Sequence, residues 1–365
     1  MSVTKITSPD HPALGELCAQ LAELANELDT SGEWPARQLD LCAEYGVFEW
    51  FLDPQWGGQA WDSEAVVRGH LALSSACLTT TFVLTQRTGA CRRIASALHT
   101  DSQSELLPDL VSGKLMATVG ISHLTTSRRH LARPVLCAKQ TEGGYILDGY
   151  SPWVTGAAHS DYVVVGATVE TGEEVTDEQI LVALPTNLPG VSAAQPAQLV
   201  GVGASHTGEL RLDNVFVEDR WVLAGPIENV LSVGAGAGVG GYQTSTLALG
   251  LANAALVYLA EQSIKRTELG TPLEALRNEH HDLLDELFAV VRGEPSCSSE
   301  LLRQRANSLT LRATQAALAA AKGAGYVLGH PTGRWCREAL FFLVWSCPQP
   351  VLSANLCELA GLSAE

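Results

Sequence analysis

The sequence predicts an α+β protein in three successive parts: an N-terminal helical domain (1–113), a middle antiparallel β domain (114–225) and a C-terminal four-helix bundle (226–365). Three observations carry this. Apolar residues recur at helical spacing in the first third, short β-branched runs punctuated by Gly, Asp and Pro fill the middle, and long helical periods return from about Asn229.

Leu14, Leu17, Leu21, Leu24 and Leu28 share one helical face, and EWPARQLDLCAEYGVF restarts the period after Ser31-Gly32, so two packed helices are expected. PQWGGQAWD is a Gly-rich turn. DSEAVVRGHLALSSACLTTTFVLT and RRIASALHTDSQSELLPDLVSG read as further helices. From Lys114 the runs LMATVGIS, VLCAKQ, GYILDGYSPWV, DYVVVGATV, QILVALP and ELRLDNVFV read as strands of an antiparallel sheet or barrel. Four segments then suggest an antiparallel bundle: LALGLANAALVYLAEQSIKR, NEHHDLLDELFAVV, SSELLRQRANSLTLRATQAALAAAKGAGYV and GRWCREALFFLVW. The last is expected to stop at Cys347-Pro348.

With 365 residues, 46% hydrophobic and 17% charged, the chain can bury a substantial core. Its net charge of −17 repels phosphate backbones and anionic lipid surfaces, so neither nucleic acid nor a membrane surface is an expected partner. No apolar run reaches the roughly 18 residues of a spanning helix, and the N-terminal residues lack the pattern of a signal peptide. Nine scattered cysteines without a CxxC pair fit a reducing cytoplasm rather than a disulfide framework or a zinc site.

The element order, together with three stretches, resembles the acyl-CoA dehydrogenase superfamily. GYILDGYSPWVTGAAHSDYVVVGATV is similar to the family's strand–loop–strand segment whose Trp and Thr touch the flavin isoalloxazine, here Trp153 and Thr155. LVGVGASHTGELRLDNVFVEDRWVLAGP resembles the last strands and the crossing into the bundle. LALGLANAALVYLAEQSIKRTELGTPL resembles the bundle helix whose terminal Arg, here Arg266, reaches the FAD pyrophosphate of a neighbouring subunit. The other reading of Arg266 is a cation complementing a helix C-terminus. The resemblance implies FAD as cofactor, bound tightly or taken up reduced. It also implies a homodimer or homotetramer, and a small substrate such as an acyl-CoA thioester or an aromatic compound.

Departures from the family pattern are as informative. GISHLTTSRRH stands where the β-domain signature belongs, which puts Ser122 at the flavin-contacting Thr, His123 at the following Glu, and Ser127 or Arg128 near the pyrophosphate-binding Ser. His123 is then an acid–base group or a hydrogen-bonded loop histidine. AAKGAGYVLGHPTGRWCREA keeps Gly323, Gly325, Tyr326 and Arg337 of the family's FAD segment, while Ala and Lys322 replace its Gln and first Gly. Counting from Arg337, the family's catalytic Glu-Gly-Thr coincides with Ser346-Cys347-Pro348, and the alternative seat of that base falls at or next to Gly240. A thioester α-proton needs a positioned carboxylate base, which a serine alone cannot replace, and Pro348 deletes a backbone donor.

The chain therefore reads as a flavin-dependent oxidoreductase of non-standard chemistry, with His123 and Ser346 as catalytic candidates. Ser122, Ser127, Trp153, Thr155, Arg266, Gly323 and Gly325 are the cofactor-binding candidates. Alternatives are a flavin monooxygenase of the same fold, with His206 as a further candidate, a dehydrogenase with a relocated base such as Glu338, and a non-catalytic scaffold. The adjacent Glu279, His280, His281 and Asp282 point to different helix sides and read as a solvated face, not a metal site. RTGACRRIAS reads as an exposed basic helix face.

Overall fold

The computed structural model describes residues 4–97, 100–125, 134–172, 174–234, 241–345 and 347–362. The helix α1 (Pro12–Ser31) buries Leu14, Leu17, Leu21 and Leu28, and the left-handed Gly32 ends it by donating its N–H to Leu28 O at 3.0 Å. A short α2 (Ala36–Glu44) follows. The apolar stretch after the Gly-rich turn forms two helices rather than one, α3 (Ser63–Ala76) and α4 (Leu78–Ala95), because Cys77 is extended between them. Asp62 caps α3 by accepting from Ala65 N at 2.8 Å. α4 is buried on most of its circumference, as a helix wedged between layers must be. α5 (Thr100–Ser112) completes the first part.

Eight strands form one sheet: β1 (Ala117–Gly120), β2 (Leu136–Thr141), β3 (Gly144–Thr155), β4 (Tyr162–Thr171), β5 (Glu174–Pro185), β6 (Val191–Ala193), β7 (Thr207–Glu218) and β8 (Val222–Glu228). Their order is β6-β7-β3-β2-β4-β5-β8, with β1 also on β4. The sheet is mixed, which corrects the antiparallel expectation: β1 and β2 both run parallel to β4. Residue alternation reports which face a strand buries and is silent on the direction of its neighbour. The one-turn helix α6 (Ser122–Thr125) leaves β1.

The third part contains α7 (Tyr242–Ser263), α8 (Gly270–Arg292), α9 (Ser299–Ala321), α10 (Pro331–Leu340) and α11 (Gln349–Leu359). The expected fourth helix ends at Leu340, short of Cys347-Pro348, and α11 is a further helix beyond it that was not expected. α10 gives way to a 3-10 turn at Phe341–Leu343, and Pro348 stands at the N-cap of α11. Ser308 of α9 hydrogen-bonds Glu358 of α11 and pins it to the bundle. The N-terminal helices and the bundle meet where α3 crosses α7. A Cβ on Gly250 would lie 2.6 Å from Ser74 Cβ and 2.8 Å from Leu71 O, so only glycine permits this approach. Ser74 Oγ donates to Leu247 O at 2.8 Å across the same seam. Among the described residues no helix is long and apolar enough to cross a membrane.

Candidate active site

The three layers enclose a cavity of about 1290 Å³. Its size exceeds the ~300–1,000 Å³ of ordinary small-molecule pockets, which leaves room for two ligands side by side. One face of α4 forms a wall through Phe82, Thr85, Gln86, Gly89, Arg92 and Arg93, positions that recur at helical spacing. The sheet supplies Val119, Ile121, Ser122, Trp153, Thr155 and Thr207. The bundle closes the cavity with Tyr242, Gln243 and Thr244 at the start of α7 and with Phe341 and Trp345 after α10. Phe51, Trp56 and Trp61 cover it from the N-terminal part.

The sheet wall carries the sequence-predicted contacts. Trp153 is 50% exposed, a large ring left open beside the cavity. Thr155 Oγ1 shares a 2.9 Å hydrogen bond with Thr207 Oγ1, which shares another of 2.9 Å with Ser205 Oγ. Ser122 also lines the cavity, and its buried hydroxyl has no partner. An unsatisfied buried hydroxyl costs about 1–3 kcal/mol, which a bound ligand accepting or donating there would recover. An open ring, a free hydroxyl and a hydroxyl pair on one wall suit the isoalloxazine edge of a flavin, so the residues present fit that group.

His123 is placed differently from its expectation as an acid–base group. It turns away from the cavity, and its Nε2 lies 2.7 Å from Gly166 O, so that nitrogen carries the proton it donates. Burial pushes its pKa down, the bond to Gly166 opposing this in part. Neighbouring residues on a single helical turn face different sides, and here Ser122 takes the cavity side. His206 also lies off this cavity, its Nε2 donating to Gly32 O at 3.0 Å and its Nδ1 2.8 Å from His159 Nε2. Ser127, Arg128, Gly240 and Ser346 lie outside the described residues.

Arg266, Gly323 and Gly325 gather at a separate corner of the bundle. Arg266 Nη1 donates to Ala320 O at 2.6 Å, and its Nε pairs with Glu268 at 3.1 Å. A Cβ on Gly325 would come within 2.6 Å of Thr332 Oγ1, so this glycine serves packing whatever else it does, while Gly323 faces open space.

Glu338 does not line the cavity either. It is 2% exposed, 3.6 Å from Arg334 Nε and 3.5 Å from Thr79 Oγ1, and burial pushes its carboxyl up to about 7. The two carboxylates that do line the cavity among the described residues are engaged as caps, Asp53 accepting from Gln55 N and Asp62 from Ala65 N, each at 2.8 Å.

The basic run RTGACRRIAS is the largest correction. Arg87 is buried, lies 3.7 Å over the Phe48 ring and donates to Leu110 O, and Arg92 and Arg93 face the cavity. Counting 82, 85, 86, 89, 92 and 93 as one helical stripe would have revealed this face. The aromatic cluster of Phe82, Phe341 and Trp345, with ring centroids 4.8–5.0 Å apart, also went unread as a site wall.

A family model described as "Acyl-CoA dehydrogenase, middle domain" matches residues 126–215. The chain belongs to the acyl-CoA dehydrogenase superfamily. It is 24% identical over 270 residues to the probable acyl-CoA dehydrogenase YngJ of Bacillus subtilis, covering 73% of this chain and 70% of YngJ. Its fold matches a glutaryl-CoA dehydrogenase from Mycobacterium smegmatis, solved in complex with FADH2, at a TM-score of 0.78 and 17% identity over 98% of this chain and 96% of the other. It also matches the prolyl acyl carrier protein oxidase AnaB at a TM-score of 0.74 and 16% identity over 96% and 100%. The superfamily is one of acyl-CoA dehydrogenase-like flavoproteins, and the relatives support flavin-dependent oxidoreduction in general. The matched middle domain is the part that carries Trp153 and Thr155.

Proposed function

We propose that this chain is an FAD-dependent oxidoreductase whose chemistry does not rest on a carboxylate at either usual seat of the family's base. The carrying observation is the sheet wall, where the open Trp153 ring, the partnerless Ser122 hydroxyl and the Thr155–Thr207 pair face one cavity. Trp153 would cover one face of the isoalloxazine, and Ser122 and Thr155 would hold its polar edge. FAD bound there supplies two-electron redox chemistry and, when reduced, reactivity toward O₂.

The residues across the cavity limit what the substrate is asked to do. Asp53 and Asp62 already accept backbone hydrogen bonds, so neither is poised to remove a weakly acidic carbon-bound proton. Phe82, Phe341 and Trp345 make one end of the cavity apolar. The aromatic lining favours a second reading within the same class, a monooxygenase acting on an apolar or aromatic substrate. Arg266 with the Lys322–Tyr326 turn is the corner we assign to a neighbouring subunit's FAD, which makes the working unit at least a homodimer.

The visible absorption spectrum of the purified protein, before and after incubation with FAD, tests the reading. Retained paired bands of oxidised flavin are expected, weakened in Trp153→Ala. Bleaching of those bands by an acyl-CoA under anaerobic conditions would point back to dehydrogenation, and O₂-dependent turnover would point to oxidase or monooxygenase chemistry. A protein that holds no flavin with FAD in excess would overturn the proposal.

A further inference from the structure

Charge is distributed unevenly along the cavity. The lining face of α4 runs from Phe82 to Arg92, about 15 Å at 1.5 Å per residue. At the first end Phe82 packs edge-on against Phe341 and Trp345. Thr85 and Gln86 stand between, and the guanidinium of Arg92 occupies the other end, 5.3 Å from the Phe51 ring centroid.

Among the described residues Arg92 forms no salt bridge, and its guanidinium has the Phe51 ring as its neighbour. Arg337 is joined to Asp29, and Arg93 donates from Nη1 to Gly89 O at 3.2 Å. The nearby lining carboxylates, Asp53 and Asp62, accept from backbone N–H groups at their caps and form no salt bridge with Arg92. Many arginines elsewhere are matched to carboxylates, as in Arg68–Asp10, Arg305–Glu286 and Arg312–Glu279, while the buried Arg87 and Arg303 donate to backbone carbonyls. In a chain of net charge −17, Arg92 is half-buried and faces an aromatic-lined cavity with no carboxylate salt-bridged to it. The Phe51 ring lies within cation–π range of the guanidinium, whose planar fork suits an oxyanion that accepts two N–H groups at once.

We propose that Arg92 binds an anionic group of the substrate, a carboxylate or a phosphate, so that the substrate is an anion with an apolar or aromatic body reaching toward Phe341 and Trp345. The inference deepens the proposed function by naming the substrate class of the same cavity. It places recognition on α4, apart from the Trp153, Thr155 and Ser122 wall. Arg92 is a specificity-determining residue in this reading, with no part in bond making.

The test is calorimetric titration of the full-length protein as purified, with flavin content read separately from its visible bands. The probes are 3-phenylpropionate and indole-3-acetate, their neutral amides, phenyl phosphate, and inorganic phosphate alone. The acids are expected to bind roughly tenfold or more tightly than the amides, with the preference lost in Arg92→Gln and partly kept in Arg92→Lys. Phenyl phosphate outcompeting the carboxylates would assign the anion as phosphate, and the reverse order as carboxylate. Arg68→Gln, at an exposed ion pair, should leave the preference unchanged. Equal binding of acid and amide, survival of the preference in Arg92→Gln, or no acid binding up to about 10 mM would overturn the proposal. Acid and amide are first compared on the wild type, so the result does not depend on a variant that folds. A flavin-free protein that still prefers the acids would sink the flavin reading alone.

Discussion

Replacing Glu338 by Gln should make the protein's stability less dependent on pH, with the gain appearing on the alkaline side. The carboxyl is buried between α10 and α4, and burial raises it from 4.5 to about 7, with the charge of Arg334 opposing the rise. The folded chain therefore holds this proton more tightly than the unfolded chain. Stability from this group is complete below about pH 4.5 and is lost as pH rises through 7. At about 1.4 kcal/mol per pH unit this rise is on the order of 3 kcal/mol, most of which develops between pH 5 and pH 8. Gln resembles the protonated carboxyl and does not titrate. Urea melts of both proteins at pH 5 and pH 8 measure the effect, with the stability difference between variant and wild type moving toward the variant by about that amount. An unchanged difference would mean that Glu338 does not titrate in this window. A change in the opposite direction would mean that the ion pair with Arg334 outweighs burial, and either result refutes the reasoning.

Other perturbations follow from the same geometry. Burial and, secondarily, the charge of Arg92 push His70 down to about 4, so the fold favours its neutral form. Its contribution is present above about pH 6.5 and lost as pH falls through 4, up to about 3 kcal/mol, and His70→Gln should flatten an acid melting series by that amount. Ser122→Ala removes a buried hydroxyl with no partner and should raise the melting temperature of flavin-free protein, by the equivalent of about 1 kcal/mol, while reducing flavin retained on a desalting column. Gly250→Ala places a methyl against Ser74 Cβ and Leu71 O and should cost about 1–3 kcal/mol in denaturant melts, with flavin lost along with the α3–α7 seam.

The architecture was legible because it is written in periodicities. Leu14, Leu17, Leu21 and Leu28 are all buried in α1 as their spacing requires, and the β-branched runs 162–171 and 180–184 are central strands. Strand direction was not legible, since β1 and β2 find β4 through contacts distant in sequence. A local motif singles out Ser122, Trp153 and Thr155, and these three line one cavity. The site was hidden where the signal is three-dimensional. Two arginines in a row look like a solvated face until the sheet and the bundle are laid over α4. His123 could be assigned to a loop but not to a side of it, and its bond to Gly166 depends on how β4 passes beneath α6.

The wall formed by Phe341 and Trp345 is held more firmly than a discarded site would require. Asn307 Nδ2 donates to Phe342 O at 3.0 Å, and Arg303 donates to Trp345 O, so two buried side chains of α9 fix the carbonyls of the segment that carries Phe341 and Trp345. Burying a guanidinium and an amide costs stability, and the hydrogen bonds they donate to these carbonyls offset part of that cost while tying the segment to α9. A scaffold that only bound a partner through its outer surface would gain nothing from a rigid interior cavity with an open tryptophan and a partnerless serine on the facing wall. A site that positions two ligands against each other would gain a great deal. The same clamp gives the argument its check. Asn307→Leu should loosen the Phe341–Trp345 wall, and if a flavin and an anionic substrate share the cavity it should weaken binding of the aromatic acids more than binding of flavin. Equal losses for both would mean that α9 supports the bundle as a whole and holds no particular wall in place.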